Sequence, residues 1–240
     1  MSGNEGLEQA VRAALEFDPG VNLHDATLQV RPEGSTVHLE GEVADIAHKR
    51  RAPRIAAGVE GVAEVVDELT VRPDEPQTDG EILDQVRTAL LGEPVFGEHA
   101  LRMIDQTGKE VILRDPEEAQ GDIRFSVAEG HVSLEGTVNS HSHRRMAALL
   151  AWWIPGTRDV VDGLTVVPAE QDDAGELSEA VRLALEKDTW LDAGLINVQA
   201  RDGTVVLGGT VHSERERALA EHDAWYVEGT REVENRTVAP

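Results

Sequence analysis

The strongest constraint on the fold is an internal repeat, because the sequence runs through one pattern of helix and strand signals three times. Each copy opens with apolar residues at every fourth position, as in Leu7, Val11 and Leu15, which predicts a helix with one apolar face. A run of alternating apolar residues, as at residues 37–43, then predicts a half-buried strand. A second helix and a valine-rich closing strand complete the copy.

Glycines mark equivalent positions in the three copies, one in the alternating strand and one after the second helix: Gly41, Gly61, Gly136, Gly156, Gly209 and Gly229. Both kinds shift by 95 residues from the first copy to the second, and by 73 from the second to the third. We expect the strand glycines to permit close backbone approach beneath a helix. The others are typical of a left-handed residue that ends a helix. All six are therefore predicted to be structural.

The repeat predicts three modules joined by two short linkers. The modules are residues 1–73, 82–168 and 177–240, and the linkers are residues 74–81 and 169–176. Each linker has four acidic residues and no basic residue, so we expect both linkers to be solvated hinges.

The middle module is longer than the other two. It carries an insert of about twenty residues within residues 93–122. The insert has an apolar alternation of its own, from Lys109 to Leu113, which predicts an additional short strand or helix at the edge of the module.

The charge of the chain argues against nucleic acid as a partner. There are 22 Lys and Arg against 46 Asp and Glu, a formal net charge of −24, whereas phosphate-backbone binding needs basic side chains. The chain has no cysteine, which excludes thiol nucleophiles and thiolate metal sites. Since we find neither a basic and apolar leader nor a run of 18 apolar residues, we expect a cytoplasmic protein without a transmembrane segment.

The repeated segments resemble a known family. Gly130–Val138 reads Gly-x-Val-x-Leu-x-Gly-x-Val, and Gly61–Val71 reads Gly-Val-x-x-Val-x-x-x-Leu-x-Val. With the order helix, strand pair, helix, strand, these motifs are similar to the BON domain, named for a bacterial osmotically inducible protein and nodulation proteins. The resemblance implies an α+β fold of three tandem αββαβ modules, each with two helices on one face of a three-stranded sheet. It also implies osmotic-stress functions, phospholipid or protein ligands, and no enzymatic activity.

Basic residues concentrate where the second helix of two copies begins. They are Lys49, Arg50, Arg51 and Arg54 in module 1, and Arg144 and Arg145 in module 2. One interpretation is a docking patch for an anionic surface, such as phospholipid headgroups or an acidic stretch of a partner. The alternative is a solvated helix face, or pairing with the acidic loops of the protein itself.

Aromatic pairs follow near the end of the same helix in modules 2 and 3. Trp152 and Trp153 align with Trp225 and Tyr226, and module 1 has Ala57–Gly58 at this place. Amphipathic aromatic side chains are favoured at membrane and protein interfaces, so these four are candidates for the ligand surface. The alternative is that one residue of each pair packs on the sheet.

No catalytic motif and no cofactor motif stands out in the sequence. His141 and His143 do not face the same way on a helix, so we expect no metal site there. The sequence therefore predicts a non-catalytic, acidic, stress-associated binding protein that docks on an anionic phospholipid surface or on a protein. The alternative is a structural protein whose modules pack on each other or on other copies, and an oligomer is compatible with both.

Overall fold

The computed structural model describes residues 3–18, 21, 27–169 and 174–240. These residues form six α-helices and eleven β-strands arranged in three sheets. The chain divides into two compact units, residues 1–72 and residues 73–240. Module 1 forms the first unit, and modules 2 and 3 together form the second. Within the described part of the chain, no helix is both long enough and apolar enough to cross a membrane.

The first unit contains two helices and a three-stranded sheet. Its elements are α1 (Gly3–Phe17), β1 (Gln29–Glu33), β2 (Thr36–Val43), α2 (Ile46–Ala57) and β3 (Glu64–Val71). Strand β2 lies in the middle, antiparallel to β1 and parallel to β3. A parallel pair needs a crossover connection, and helix α2 provides it.

Alternation along β2 places the core of module 1 on one side of the sheet. The buried side chains of β2 face the helices, and they are Val37, Leu39 and Val43. Val11 and Leu15 of α1 are buried on the same side of the sheet. The intervening side chains of β2 lie on the other face, which carries no helix. This arrangement confirms the α+β class with both helices on one face of the sheet.

Module 2 repeats this plan and enlarges it. Its elements are α3 (Asp79–Gly92), a 3-10 turn (Pro94–Phe96), β4 (His99–Ile104), β5 (Glu110–Arg114), β6 (Gly121–Ala128), β7 (His131–Val138), α4 (His141–Trp152) and β8 (Asp159–Val166). The strand order is β5-β4-β6-β7-β8, so this sheet has five strands instead of three. The additional strands β4 and β5 lie in the insert, where β4 pairs in parallel with β6 and β5 forms the edge of the sheet.

An arginine ties the insert to the rest of module 2. The guanidinium of Arg114 in β5 donates hydrogen bonds to the backbone oxygens of Leu91 and Phe96, at 2.9 and 2.7 Å. Leu91 belongs to the last turn of α3, where helix carbonyls lack partners within the helix. The hairpin of β4 and β5 is therefore fixed to the end of the helix that precedes it.

Module 3 returns to the smaller plan. Its elements are α5 (Ala174–Lys187), a 3-10 turn (Ala193–Leu195), β9 (Ile196–Arg201), β10 (Thr204–Gly209), α6 (Glu214–Tyr226) and β11 (Glu232–Asn235). Strand β10 lies between β9 and β11. The closing strand has four residues where β3 and β8 have eight, and a single bridge from Thr210 to Val238 extends it.

The first linker differs from the predicted hinge, because α3 begins inside it at Asp79. Thr78 caps the helix in a reciprocal box with Glu81, and the backbone N–H of Thr78 lowers the pKa of that carboxyl. The carboxylate of Asp79 accepts the N–H groups of Glu129 and Gly130 at 2.9 and 2.8 Å. Asp79 therefore has structural partners in module 2, and Glu81 has its partner in the helix cap.

Helix α5 likewise begins inside the second predicted linker, at Ala174. Residues 170–173 of this linker lie outside the described part of the chain.

The strand glycines need correction in one respect. An added Cβ at Gly41, Gly136 or Gly209 would meet a backbone carbonyl oxygen at 2.0–2.4 Å, and the three oxygens belong to Thr27, Asp122 and Leu195. The close neighbour is thus the chain segment that enters the paired strand, not a helix above the sheet. The other three repeat glycines, Gly61, Gly156 and Gly229, have a left-handed φ in the turn that follows the second helix.

Candidate docking surface and module interface

Helix α2 carries the basic cluster of module 1. Its N-cap is Asp45, whose carboxylate accepts the backbone N–H of His48 at 2.9 Å. Lys49 follows, and it is 9% exposed because its ammonium donates hydrogen bonds to the backbone oxygen of Leu69 and to the carboxylate of Asp67. The prediction that Lys49 belongs to a docking surface is therefore corrected, since this side chain anchors α2 to β3.

The three arginines of α2 are more accessible than Lys49. Arg54 is exposed, and Arg50 and Arg51 are half-buried. The sheet face without helices lies on the opposite side of the module. Strand alternation and strand pairing place the side chains of five glutamates on this face: Glu33, Glu40, Glu42, Glu64 and Glu68. The arginines of α2 therefore lie on the helical side of module 1, whereas these five carboxylates lie on the open sheet face together with Arg31 of β1.

Arg144 in module 2 has a different environment from the α2 cluster. Its Nε donates to Asp162 of β8 at 2.9 Å, and its Nη2 lies 2.9 Å from the carboxylate of Glu228 in module 3. The side chain therefore links two modules of the second unit.

Arg145 is buried at the same interface, with 4% of its surface exposed. Its Nε donates to the backbone oxygen of Glu228 at 3.0 Å, and its Nη1 lies 3.7 Å from the carboxylate of Glu176 at the start of α5. The prediction of a docking patch at Arg144 and Arg145 needs correction, because both guanidinium groups face module 3. They fit the alternative interpretation, pairing with acidic groups of the protein itself.

Apolar packing accompanies these ion pairs. Met146 and Leu149 of α4 are buried, as is Ala180 of α5, and the two helices pack against each other. These side chains line a small cavity between the helices, together with Arg145 and Val227. Modules 2 and 3 therefore share a core.

A second ion pair joins the same two modules at the far end of α5. The ammonium of Lys187 lies 2.7 Å from the carboxylate of Glu93, the residue that ends α3, and that carboxylate side chain is 10% exposed. The interface between the modules is thus held by charged pairs at both ends of α5.

The aromatic pairs divide between core and interface. Trp152 and Trp225 are buried, whereas Trp153 and Tyr226 are half-buried. The rings of Trp152 and Tyr226 lie 6.1 Å apart, so the structure brings these two candidates together where module 2 meets module 3. Both of these residues belong to the second unit, whereas the basic cluster of α2 belongs to the first.

Two histidines of module 2 pack together. His99 of β4 is 1% exposed, and its ring stacks on that of His143 with 5.0 Å between centroids. Burial lowers the pKa of His99, and the neighbouring His143 lowers it further. The His99 ring is therefore neutral near pH 7, as expected for a packing residue.

A buried carboxyl group of module 3 has a pKa that is raised instead of lowered. Asp223 of α6 is 5% exposed, and its Oδ2 has no hydrogen-bond partner. Burial raises the pKa of Asp223 to about 8, and the charge of Asp188 at the end of α5 contributes to the shift. The carboxyl thus keeps its proton in the folded protein at neutral pH.

We expect Asp223 to make module 3 less stable as the pH rises from about 4 to about 8. In this range the folded state holds a proton that the unfolded chain has released, so each increase in pH favours unfolding. Asparagine does not titrate, so the free energy of unfolding of the Asp223→Asn variant should vary less with pH. At alkaline pH this variant should be more stable than the wild type. Urea unfolding at several pH values measures the difference from the wild type. Asp202→Asn is the control, because that carboxylate is 91% exposed, and an equal change in both variants would contradict the assignment.

Comparison with known proteins bears on all three modules. The family model described as BON domain matches residues 4–73, 102–168 and 172–239. Over 163 residues the chain is 26% identical to osmotically-inducible protein Y of Escherichia coli strain K12, an alignment that covers 67% of this chain and 71% of that protein. The C-terminal domain of CdsD, a structural protein of the type III secretion system of Chlamydia trachomatis, aligns over 98% of this chain and 97% of its own. The identity is 14% and the TM-score is 0.25, so this last likeness carries no argument.

Proposed function

Because the chain belongs to the BON domain family and carries the domain in three copies, we propose that it is a non-catalytic binding protein that docks on anionic phospholipid through α2 of module 1. The relative named osmotically-inducible protein Y supports a place in the response to osmotic stress. The cytoplasmic location expected from the sequence is part of the same proposal, and cell fractionation tests it.

The arginine cluster of α2 is the observation that carries the proposal. Arg50, Arg51 and Arg54 lie on one helix, and each basic side chain near an anionic leaflet contributes about 1 kcal/mol. The net charge of −24 opposes binding, but charges beyond a Debye length of about 8 Å are largely screened at physiological salt. The glutamates of the open sheet face lie on the other side of the module, about 10 Å or more from the helix surface. A membrane that contacts α2 therefore meets the three arginines at short range and the carboxylates of the open sheet face at long range.

Flotation with vesicles tests this proposal. We expect the protein to float with vesicles that contain anionic phosphatidylglycerol at low salt, to float less at moderate salt, and to stay behind with neutral phosphatidylcholine. The double variant Arg50→Glu and Arg54→Glu should lose most of the binding, because two attractive charges become repulsive.

The matched control reverses two exposed arginines of module 3, Arg201→Glu and Arg215→Glu, which changes the net charge by the same amount. This control should still float. Equal loss in both double variants would mean that total charge decides the binding, and absence of flotation for the wild type at low salt would refute the lipid proposal. Circular dichroism verifies that each variant is folded.

A structural role is the second candidate, and the interface of modules 2 and 3 favours it. Helices α4 and α5 pack together with a buried arginine between them, which supports a role in which the BON modules of this chain serve as partners for one another. Sedimentation velocity over a range of protein concentrations tests assembly between copies. A mass that rises with concentration supports this role, and a constant monomer mass argues against it.

A further inference from the structure

A cluster of metal-ligating side chains lies on the open sheet face of module 1. His38 and Glu40 are two residues apart on β2, and Glu68 lies on the neighbouring strand β3. Alternation places His38 and Glu40 on the same face, opposite to the buried Val37 and Leu39. The parallel register sets Glu40 beside Glu68, so the topology itself gathers the three side chains.

The donor atoms of this cluster are close together. One nitrogen of His38 and one carboxylate oxygen each from Glu40 and Glu68 lie within 4.8 Å of one another. The Nδ1 of His38 is 3.4 Å from Glu68, and its Nε2 is 3.9 Å from a fourth donor, Glu33 of β1. Donors on one zinc ion lie about 3.4 Å apart, which the distance between His38 Nδ1 and the carboxylate of Glu68 matches.

The charges of the cluster favour a cation. Like charges directly opposite each other on neighbouring strands are destabilising, and Glu40 and Glu68 stand in this relation. Arg31 of β1 compensates part of the charge, because its Nε donates to Glu40 at 2.8 Å. The carboxylate of Glu68, whose side chain is 50% exposed, has the imidazole of His38 as a neighbour at 3.4 Å.

From this geometry we infer that His38, Glu40 and Glu68 form a binding site for one divalent transition-metal ion, of which Zn²⁺ is the representative. Imidazole and carboxylate together suit Zn²⁺ and similar ions, whereas Ca²⁺ and Mg²⁺ prefer oxygen ligands alone. This site is independent of the lipid-docking helix, which lies on the other side of the sheet.

The other modules lack the donor set, which makes the site specific to module 1. At the positions of His38, Glu40 and Glu68, module 2 has Ser133, Glu135 and Gly163, and module 3 has Val206, Gly208 and Arg236. One site per chain is therefore expected.

Calorimetric titration of the full chain with Zn²⁺ is the first test, and Co²⁺ absorption is the second. We expect one site per chain, and each of the variants His38→Gln and Glu68→Gln should weaken binding by about tenfold or more. The control Glu135→Gln changes the equivalent of Glu40 in module 2, so it should leave binding unchanged. Both ligand positions lie on a partly exposed strand face, and circular dichroism checks that the variants fold.

Arg31→Gln provides a test in the opposite direction. It removes the cation that competes for Glu40, so Zn²⁺ should bind more tightly to this variant than to the wild type. The inference is overturned if the wild type gives neither heat with Zn²⁺ nor ligand-field bands with Co²⁺. It is also overturned if His38→Gln and Glu68→Gln bind as tightly as the wild type.

Discussion

Replacing Gly209 by alanine will destabilise module 3 by about 3 kcal/mol or more, whereas the same change at the adjacent Gly208 will alter stability by less than about 0.5 kcal/mol. Gly209 has φ +104°, and a Cβ there would lie 2.1 Å from the backbone oxygen of Leu195. The strand must move or break its pairing with β9 to remove this contact. At Gly208 an added Cβ meets nothing within 4 Å.

Urea unfolding of the full-length variants, followed by far-UV circular dichroism, measures this difference. The two glycines are neighbours in one strand, so differences in helix content, net charge or unfolded-chain composition do not enter the comparison. A Gly209→Ala protein that is as stable as Gly208→Ala would show that the close contact with Leu195 is absent in solution.

Arg145→Ala is expected to produce the second large effect, a loss of about 2 to 4 kcal/mol in the coupling of modules 2 and 3. The change removes a buried guanidinium that donates to the backbone oxygen of Glu228 and faces Glu176. It leaves a cavity between α4 and α5 and a carbonyl without its donor. Module 3 should then unfold at a lower urea concentration than module 2, so that one transition separates into two.

Arg182→Ala is the matched control for this variant. Arg182 lies on α5 and pairs with Glu179 and Glu186, but its side chain is 45% exposed. Exposed pairs of this kind contribute about 0.5 kcal/mol, so the control should unfold like the wild type. Equal effects of the two substitutions would mean that the burial of Arg145 is not important for the interface.

The arrangement of helices and strands was predictable because it follows from local periodicity. Apolar residues at a period of four or two mark which face of each element is buried, as in α1 and β2. The pair of glycines in each copy fixed the alignment of the modules independently of those apolar patterns. The insert was also found from spacing alone, although its two strands and their place beside β6 depend on hydrogen bonds that spacing does not reveal.

The partners of the basic side chains were not predictable from local periodicity. Arg145 and Glu228 are 83 residues apart, and no periodic signal in the sequence identifies one as the partner of the other. Lys49 is predicted at the docking surface because it belongs to the basic cluster of α2, but its ammonium donates to Asp67 and to the backbone oxygen of Leu69. The metal-ligating cluster was missed for a related reason, since Glu68 joins His38 only through the pairing of two strands.

The hairpin of β4 and β5 shows how this fold accepts new chain while its helices and its other strands keep their order. It was accommodated at the edge of a sheet, where free backbone groups can pair with an added strand while the helices stay in place. Module 3 keeps the corresponding edge, because β9 lies at the end of its sheet. The segment between α5 and β9, where Trp190 is 74% exposed, is therefore the natural position for grafting an epitope or a fluorescent reporter into this protein.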